Sequence, residues 1–260
     1  MLKKKSLGQH FLHAPHYLSL IADTAHIAAG ERVLEIGPGE GALTSELLAR
    51  GAKVTAVEKD SRLIPVLKKK FAKEIKKGAF SLFEGDALEL SLSDVKIRGK
   101  YKVVANIPYY ITGLLIRKFL SEKKPASSLT LLVQKEVAQR IARDKKESIL
   151  SLSVKVYGDP SYVKTVPRGA FVPPPSVDSA ILHVANVSRK NLKDAAAEAK
   201  FFALLKAGFG QKRKFLKRNL QKLLGANTSA IFQKANVADN ARAEDLSLSQ
   251  WLALAGLESE

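Results

Sequence analysis

The sequence predicts an α/β fold, with a mostly parallel sheet followed by a small all-helical domain. Two observations support this prediction. Short β-rich runs alternate with helical stretches through the first two thirds of the chain, and the pattern is helical from about residue 187 onward. Strands separated by helical segments are typical of βαβ units, whose parallel sheet is covered by helices. In a chain of 260 residues we therefore expect two domains, 1–187 and 188–260.

The parallel part of the sheet is predicted from runs rich in Val, Ile, Leu and Phe. In chain order these runs are residues 32–36, 53–58, 80–83, 101–105 and 129–133. Helical periodicity occupies three of the connections, at 43–48, 63–71 and 136–143. The first four strands lead into Gly37, Glu58, Asp86 and Asn106. Ligand sites form at such strand ends in parallel sheets.

The pattern changes near residue 160. Two further strands, 162–166 and 179–184, are joined by a Pro-rich connection that contains Pro173, Pro174 and Pro175. We expect this pair to close the parallel sheet with an antiparallel last strand. After Asn186 helices are predicted at 195–205, 212–224 and 246–254.

Charge and cysteine content narrow the function. The 43 Lys and Arg against 25 Asp and Glu give a net charge of +18, well beyond the ~2–8 that solubility requires of a small domain. This favours a polyanionic partner, with nucleic acid ahead of an anionic membrane. The chain has no cysteine, which excludes disulfides, thiolate metal sites, iron–sulfur clusters and Cys nucleophiles.

The start of the chain is basic but has neither the apolar core nor the small-residue cleavage site of a signal peptide. No apolar run approaches the ~20 residues that cross a bilayer. We therefore expect a cytoplasmic protein that does not enter membranes.

A glycine-rich segment, Gly37-Pro38-Gly39-Glu40-Gly41, predicts a nucleotide cofactor site. Glycines at a strand-to-helix turn let a ligand approach the backbone. Glu58 ends the next strand, 21 positions after Gly37, where a carboxylate accepts hydrogen bonds from ribose hydroxyls. Asp86 follows the third strand, where it would accept an adenine amine. NAD is the alternative cofactor, since the loop also fits the loose dinucleotide pattern.

Three successive strands end in a polar residue, Glu58, Asp86 and Asn106, which favours S-adenosylmethionine over NAD. In addition, no strand ends in a His or Lys that would act in hydride transfer. The fold class is accordingly a Rossmann-like class I methyltransferase sheet.

Asn106-Ile107-Pro108-Tyr109 follows the fourth strand. The adenine N6 amine is a poor nucleophile because its lone pair is delocalised into the ring. Hydrogen bonds from this amine to the Asn106 side chain and the Ile107 carbonyl would localise the lone pair on nitrogen. Pro108 stiffens the turn, and Tyr109 would stack the base for roughly 1–3 kcal/mol.

Several other residues have two interpretations. Phe171, beside the prolines, is a second candidate for stacking the base, or a packing residue. His10, His13 and His16 recur every three residues, but no carboxylate accompanies them, so no metal site is predicted. The basic run at 68–77 is interpreted as a solvated helix face. The run at 212–218, beside Phe215, is interpreted as following an RNA backbone.

These motifs resemble, in order and spacing, those of the ribosomal RNA adenine dimethyltransferases. The resemblance covers essentially the whole chain. It rests on residues 5–12, 35–41, 85–86, 106–110, 134–137, 171–179 and 242–248. Within the family, residues 173–179 and 209–214 resemble the small-subunit (KsgA-type) branch more than the erythromycin-resistance enzymes that act on large-subunit RNA.

The resemblance implies an enzyme that dimethylates N6 of two adjacent adenosines in the 3′-terminal hairpin of small-subunit ribosomal RNA. It implies four S-adenosylmethionines per RNA and action late in subunit assembly on a pre-assembled small subunit. Separately from the resemblance, we expect a monomer and no metal. The resemblance also implies two sets of site residues. The cofactor set is Gln9, His10, Leu12, Gly37, Gly39, Glu58, Asp86 and Asn106, and the target-base set is Asn106, Ile107, Pro108, Tyr109 and Phe171.

Two positions depart from the family pattern. His10 stands where many relatives have Asn, and the usual Gly-rich stretch is here Asp144 to Leu150. Other functions also remain open from the residues alone: a non-catalytic RNA-binding assembly factor on the same fold, a DNA adenine methyltransferase and, more distantly, a dehydrogenase.

Overall fold

A computed structural model describes residues 10–211 and 213–257. It divides into two compact units. Of the described residues, the first unit comprises 10–138 and 161–187, and the second comprises 139–160, 188–211 and 213–257. One boundary between the units falls at 187/188. Residues 139–160 group with the second unit, whereas the sequence prediction placed them in the first.

Within the described residues, seven strands form one sheet. They are β2 (Arg32–Ile36), β3 (Lys53–Glu58), β4 (Phe80–Glu84), β5 (Lys102–Asn106), β6 (Ser128–Gln134), β7 (Asp159–Val166) and β9 (Ser179–Ala185). Their order in the sheet is β4-β3-β2-β5-β6-β9-β7. Strands β2 to β6 pair in parallel, and β9 is antiparallel to β6, so the predicted antiparallel last strand is confirmed.

Two short strands outside this sheet help to build the site. β1 (Phe11–Leu12) pairs antiparallel with β8 (Phe171–Val172), Leu12 opposite Phe171. The helices between the strands run α1 (Pro15–Thr24), α2 (Ala42–Ala49), α3 (Leu63–Lys70), α4 (Ala72–Lys76), α5 (Thr112–Ser121) and α6 (Lys135–Ala142). The predicted Lys-rich helix through 63–71 is α3, which ends at Lys70. Phe71, with φ of −108° and ψ of 27°, leaves the helical region and separates α3 from α4.

The core of the first unit is formed by apolar side chains that the sequence pattern assigns to strand interiors and helix faces. Val33, Val54, Ala56, Val104 and Leu132 are almost completely buried along the central strands. Because β2 to β5 are parallel, their carboxyl ends meet at one edge of the sheet. The glycine loop, Glu58, Asp86 and Asn106 are thereby brought to that edge.

In the second unit, helices surround Trp251 and Phe201, which are fully buried. A Cβ on Gly208 would lie 2.4 Å from the Trp251 ring, so only glycine fits there. The helices are α7 (Ile149–Lys155), α8 (Ala195–Gly208), α9 (Leu216–Leu224), α10 (Thr228–Lys234) and α11 (Leu248–Leu254). The prediction that α9 starts at 212 is wrong: Phe215 is extended, and the Leu216 N–H donates to Ala241 at 2.8 Å.

The atypical 144–150 segment has a structural role in the second unit. Ser148 caps α7 by accepting the Ser151 N–H, and the Ser151 side chain reciprocates. The Glu147 N–H donates to the Glu244 carbonyl at 2.7 Å, and Lys146 forms an ion pair with Glu244. These contacts connect the segment to residues near the C-terminus, which accounts for its grouping with that unit.

Candidate active site

A cavity of about 320 Å³ opens at the carboxyl ends of β2 to β5 in the first unit. Its size is within the ~300–1,000 Å³ range of small-molecule sites. All but one of the predicted site residues line it, and Gln9 lies outside the described residues. The lining members are His10, Leu12, Gly37, Gly39, Glu58, Asp86, Asn106, Ile107, Pro108, Tyr109 and Phe171.

The glycine loop adopts a backbone that other residues rarely adopt. Gly37 and Gly39 have φ of +67° and +59°, and the Gly37 N–H donates to the Val57 carbonyl at 2.9 Å. A Cβ on Gly39 would lie 2.7 Å from a ring carbon of Phe11. The absence of a side chain therefore lets β1 close over the loop, and it leaves the loop backbone facing the cavity.

Glu58 is held rigidly beside this loop. Its two carboxylate oxygens accept the N–H groups of Gly39 at 3.1 Å and Asp60 at 2.8 Å. The side chain is only 5% exposed, and burial raises its pKa despite these hydrogen bonds. The carboxylate is thus fixed at the cavity wall, and its remaining lone pairs can accept hydroxyl hydrogens.

Asp86 has a partner that the sequence did not indicate. Lys59 donates to one carboxylate oxygen at 2.7 Å, and the Leu88 N–H donates to the other at 2.9 Å. The hydrogen bond from Lys59 lowers the pKa of Asp86 below its ordinary value. Lys59 also lines the cavity, so the acceptor predicted for an adenine amine is shared with a lysine ammonium group.

Asn106 ends β5 with its amide held in one orientation. Its Nδ2 donates to the His10 carbonyl at 3.3 Å. Among the described residues nothing donates to its Oδ1, which is left as an acceptor at the cavity. Pro108 follows with φ of −56° and ψ of 135° and begins a 3-10 turn over Tyr109–Ile111. This turn brings the Tyr109 ring to the cavity beside Asn106.

The Tyr109 side chain is anchored from β9. Its hydroxyl shares a hydrogen bond of 2.6 Å with Oγ of Ser179, which is fully buried. The ring lies nearly parallel to that of His10, with centroids 6.1 Å apart. Burial raises the pKa of Tyr109, so the phenol stays neutral. Ser179 belongs to the segment 171–179 on which the family resemblance partly rests, but nothing in the sequence indicates its contact with Tyr109.

Phe171 lies at the cavity but is enclosed. Its ring is 2% exposed and belongs to the core of the first unit, opposite Leu12. The backbone around it is fastened to the start of the described chain. The His13 N–H donates to Ala170 at 3.0 Å, and His10 Nδ1 donates to the Pro173 carbonyl at 2.9 Å. In this structure Phe171 therefore supports the cavity wall, while Tyr110, 66% exposed, is the more accessible aromatic ring.

Neither a metal site nor a membrane-crossing helix is found among the described residues. No group of three or more His, Cys, Asp or Glu side chains within 10–211 and 213–257 is arranged to hold a metal ion. In the same part of the chain, none of the helices combines the length and apolar character that a membrane crossing needs.

Comparison with known proteins gives consistent matches. The profile of the family described as ribosomal RNA adenine dimethylase matches residues 1–258. A protein of Dehalococcoides mccartyi named ribosomal RNA small subunit methyltransferase A is 43% identical over 255 residues, covering 95% of this chain and 86% of that protein.

Two solved structures are similar over nearly the whole chain. One is a dimethyladenosine transferase from Plasmodium falciparum, with a TM-score of 0.78 and 27% identity, covering 95% of this chain and 99% of that one. The other is the 23S rRNA methyltransferase ErmE, also with a TM-score of 0.78 and 27% identity, covering 95% of this chain and 98% of that one. The two are thus equally similar to this chain.

Proposed function

The chain belongs to the ribosomal RNA adenine dimethylase family, and we propose that it methylates N6 of two adjacent adenosines in the 3′-terminal hairpin of small-subunit ribosomal RNA. It is a ribosomal RNA adenine dimethyltransferase, with S-adenosylmethionine as the proposed methyl donor. The observation that carries the proposal is the meeting of the glycine loop, Glu58 and the Asn106–Tyr109 turn around one cavity.

The residues of the cavity fit this cofactor. Glu58 is a buried carboxylate suited to ribose hydroxyls, and the side-chain-free Gly37 and Gly39 permit close approach of the methionine end. Asp86 is proposed to accept the adenine amine, in competition with Lys59. When bound, S-adenosylmethionine supplies an electrophilic methyl group on sulfur.

The chain's own residues act on the nucleophile. The Oδ1 of Asn106 and the main-chain carbonyl of Ile107 accept hydrogen bonds from the N6 amine, which directs its lone pair out of the ring. Since the Asn106 amide is held by His10, its acceptor is oriented before the base arrives. Tyr109 stacks the base, which must be unpaired or flipped out of a helix to enter. Catalysis is then positioning and electrostatics.

The small-subunit branch is favoured over the large-subunit branch. The two structural relatives do not separate them, since one carries a large-subunit name at the same similarity. The 43% identical relative carries a small-subunit name, and residues 173–179 and 209–214 support the same branch. Action on a pre-assembled subunit, as a monomer in the cytoplasm, is part of the proposal.

A transfer assay tests the proposal. The protein is incubated with S-adenosylmethionine and small-subunit particles that lack the modification, and the RNA is digested for mass spectrometry of nucleosides. N6,N6-dimethyladenosine is the expected product. Product from large-subunit RNA instead would move the chain to the other branch. No product on either RNA, with cofactor bound, would favour a non-catalytic assembly factor.

The Asn106→Ala variant tests the mechanism. We expect transfer to fall by at least ~100-fold, as when a transition-state hydrogen-bonding group is removed, while calorimetry still detects cofactor binding. Asn240→Ala, at an exposed turn of the second unit, is the matched control and should transfer at the wild-type rate. Wild-type turnover by Asn106→Ala would remove this residue from the mechanism.

A further inference from the structure

A group of cations gathers at the amino-terminal ends of the parallel strands, opposite the cofactor cavity. Arg32 begins β2, the segment before β5 carries Lys96, Arg98 and Lys100, and Lys124 precedes β6. All five are exposed and belong to the first unit. We refer to these five residues as the basic edge.

The basic edge is concave. Lys96, Arg98 and Lys124 line a cavity of about 310 Å³, and a second cavity of about 510 Å³ is lined by Arg32 and Lys100. The buried Tyr101 borders both cavities. The cations of the basic edge therefore line concave parts of the surface.

The cations of the basic edge are not neutralised by any other described residue. None of its five side chains forms an ion pair with another described residue. Two nearby carboxylates already have other partners. Glu31 forms an ion pair with Lys102 at 2.7 Å, and Asp94 accepts a hydrogen bond from the Ser91 N–H at 2.7 Å. Glu122, whose charge contributes to raising the pKa of Tyr101, is the other carboxylate nearby. The linings of the two cavities thus carry more cations than carboxylates.

A second basic surface in the same unit provides a contrast. Lys69, Lys73 and Lys76 are exposed along α3 and α4 and line none of the three cavities described here. Helical cations of this kind are ordinarily solvated. Both surfaces contribute to the net charge of +18, but of the two only the basic edge lines the cavities described above.

We propose that the basic edge binds the phosphodiester backbone of ribosomal RNA at a place separate from the target adenosine. This rests on the proposed function for the identity of the RNA. From Lys100 through β5 to Asn106 the chain advances six residues, up to about 20 Å at ~3.3 Å per residue. RNA at the basic edge is therefore distinct from the nucleotide in the cavity. Such contacts fix orientation and affinity without reading sequence.

Two full-length variants with the same change in charge test this. Lys96→Gln/Lys100→Gln/Lys124→Gln removes three cations from the basic edge, and Lys69→Gln/Lys73→Gln/Lys76→Gln removes three from the helices. Binding to unmodified small-subunit particles is measured between 50 and 200 mM salt. Each phosphate contact gives a slope of about −0.7 to −0.9 in log K against log salt, so three contacts account for roughly 20- to 40-fold of the affinity lost over this range.

We expect the basic-edge variant to lose that much salt sensitivity and the helix variant to keep the wild-type slope. Cofactor affinity and the maximal transfer rate at saturating RNA should be unchanged in both. The proposal would be overturned if the wild type and both variants had the same slope of log K against log salt, or if the two variants lost the same amount of salt sensitivity. It would also be overturned if the basic-edge variant bound RNA normally but no longer bound anionic phospholipid vesicles.

Failure of the basic-edge proposal and failure of the proposed function give different experimental results. If the wild type binds particles but makes no dimethyladenosine, the enzymatic proposal fails while the comparison of slopes still judges the basic edge. If the triple variant melts below the wild type, the single change Arg32→Gln replaces it. One contact then predicts a roughly 3-fold smaller salt effect, and an unchanged slope counts against the proposal.

Discussion

The hydrogen bond between Tyr109 and Ser179 allows a quantitative test of how the target base is positioned. The two hydroxyls are 2.6 Å apart, on a turn after β5 and at the start of β9. Ser179 is fully buried, whereas Tyr109 is half-buried. We predict that Ser179 acts as a positioning residue by fixing the Tyr109 ring, and that Ser179→Ala slows methyl transfer.

The loss of free energy in each variant depends on which hydroxyl is left without a hydrogen-bond partner. In Ser179→Ala the Tyr109 phenol can turn toward water, so the loss is near the lower end of the ~1–3 kcal/mol range for breaking a buried hydrogen bond. In Tyr109→Phe the buried Ser179 hydroxyl loses its partner, and the loss is larger within that range. The double variant removes both hydroxyls at once. Its loss of free energy should therefore differ from the sum of the two single-variant losses by about 1 kcal/mol.

The assay is a double-mutant cycle on two quantities, the free energy of unfolding in urea and kcat/KM for the RNA. A coupling of about 1 kcal/mol corresponds to roughly a fivefold change in rate. Ser81→Ala, an exposed strand serine on β4, is the control and should leave both unchanged. Effects that add within ~0.3 kcal/mol, or loss of stability with wild-type kcat/KM, would refute the positioning role.

Two further predictions concern the glycine loop and the strand before it. Glu35 is buried, accepts a hydrogen bond from Thr44 at 2.7 Å, and burial raises its pKa to about 8 from an ordinary 4.5. The folded chain therefore binds this proton more tightly, and stability should fall between about pH 4.5 and 8 by up to ~1.4 kcal/mol per unit. Urea unfolding at several pH values should show a flatter dependence in Glu35→Gln, and an unchanged slope would contradict this origin. Gly39→Ala adds left-handed strain of ~1–2 kcal/mol and a clash with Phe11, so calorimetry should show cofactor binding weakened at least tenfold. Gly78→Ala has a similar φ of +68° and no neighbour within 4 Å, and it should bind cofactor normally.

Much of the sheet and the site was predictable because both depend on local signals. The strand ending at Glu58 has the predicted bounds, and the strand leading to Asn106 starts one residue later than expected. Parallel pairing then forces the polar ends to one edge, so the cavity follows from the order of motifs. The glycine loop was recognisable because positive φ at Gly37 and Gly39 is a property of the residue type itself.

The features that sequence reasoning missed depend on distant packing. Ser179 and Tyr109 are 70 positions apart, and nothing in the local pattern of β9 distinguishes this hydroxyl. The grouping of 139–160 with the second unit rests on contacts such as Glu147 to Glu244, nearly 100 residues away. The start of α9 was misplaced because helical propensity at 212–215 is overridden by the hydrogen bond from Leu216 to Ala241.

The ion pair between Lys59 and Asp86 raises the question of whether Asp86 is available to a cofactor. The Lys59 side chain is 58% exposed, and ion pairs with an exposed partner contribute only ~0–1 kcal/mol. A hydrogen bond from a ligand amine to a charged carboxylate contributes a comparable or larger amount, about 1.5–3 kcal/mol. Exchange of the ammonium for an adenine amine is therefore close to neutral or favourable, and the Leu88 N–H keeps the carboxylate in place during it. The pair leaves the proposed role of Asp86 intact and keeps its charge compensated in the free chain.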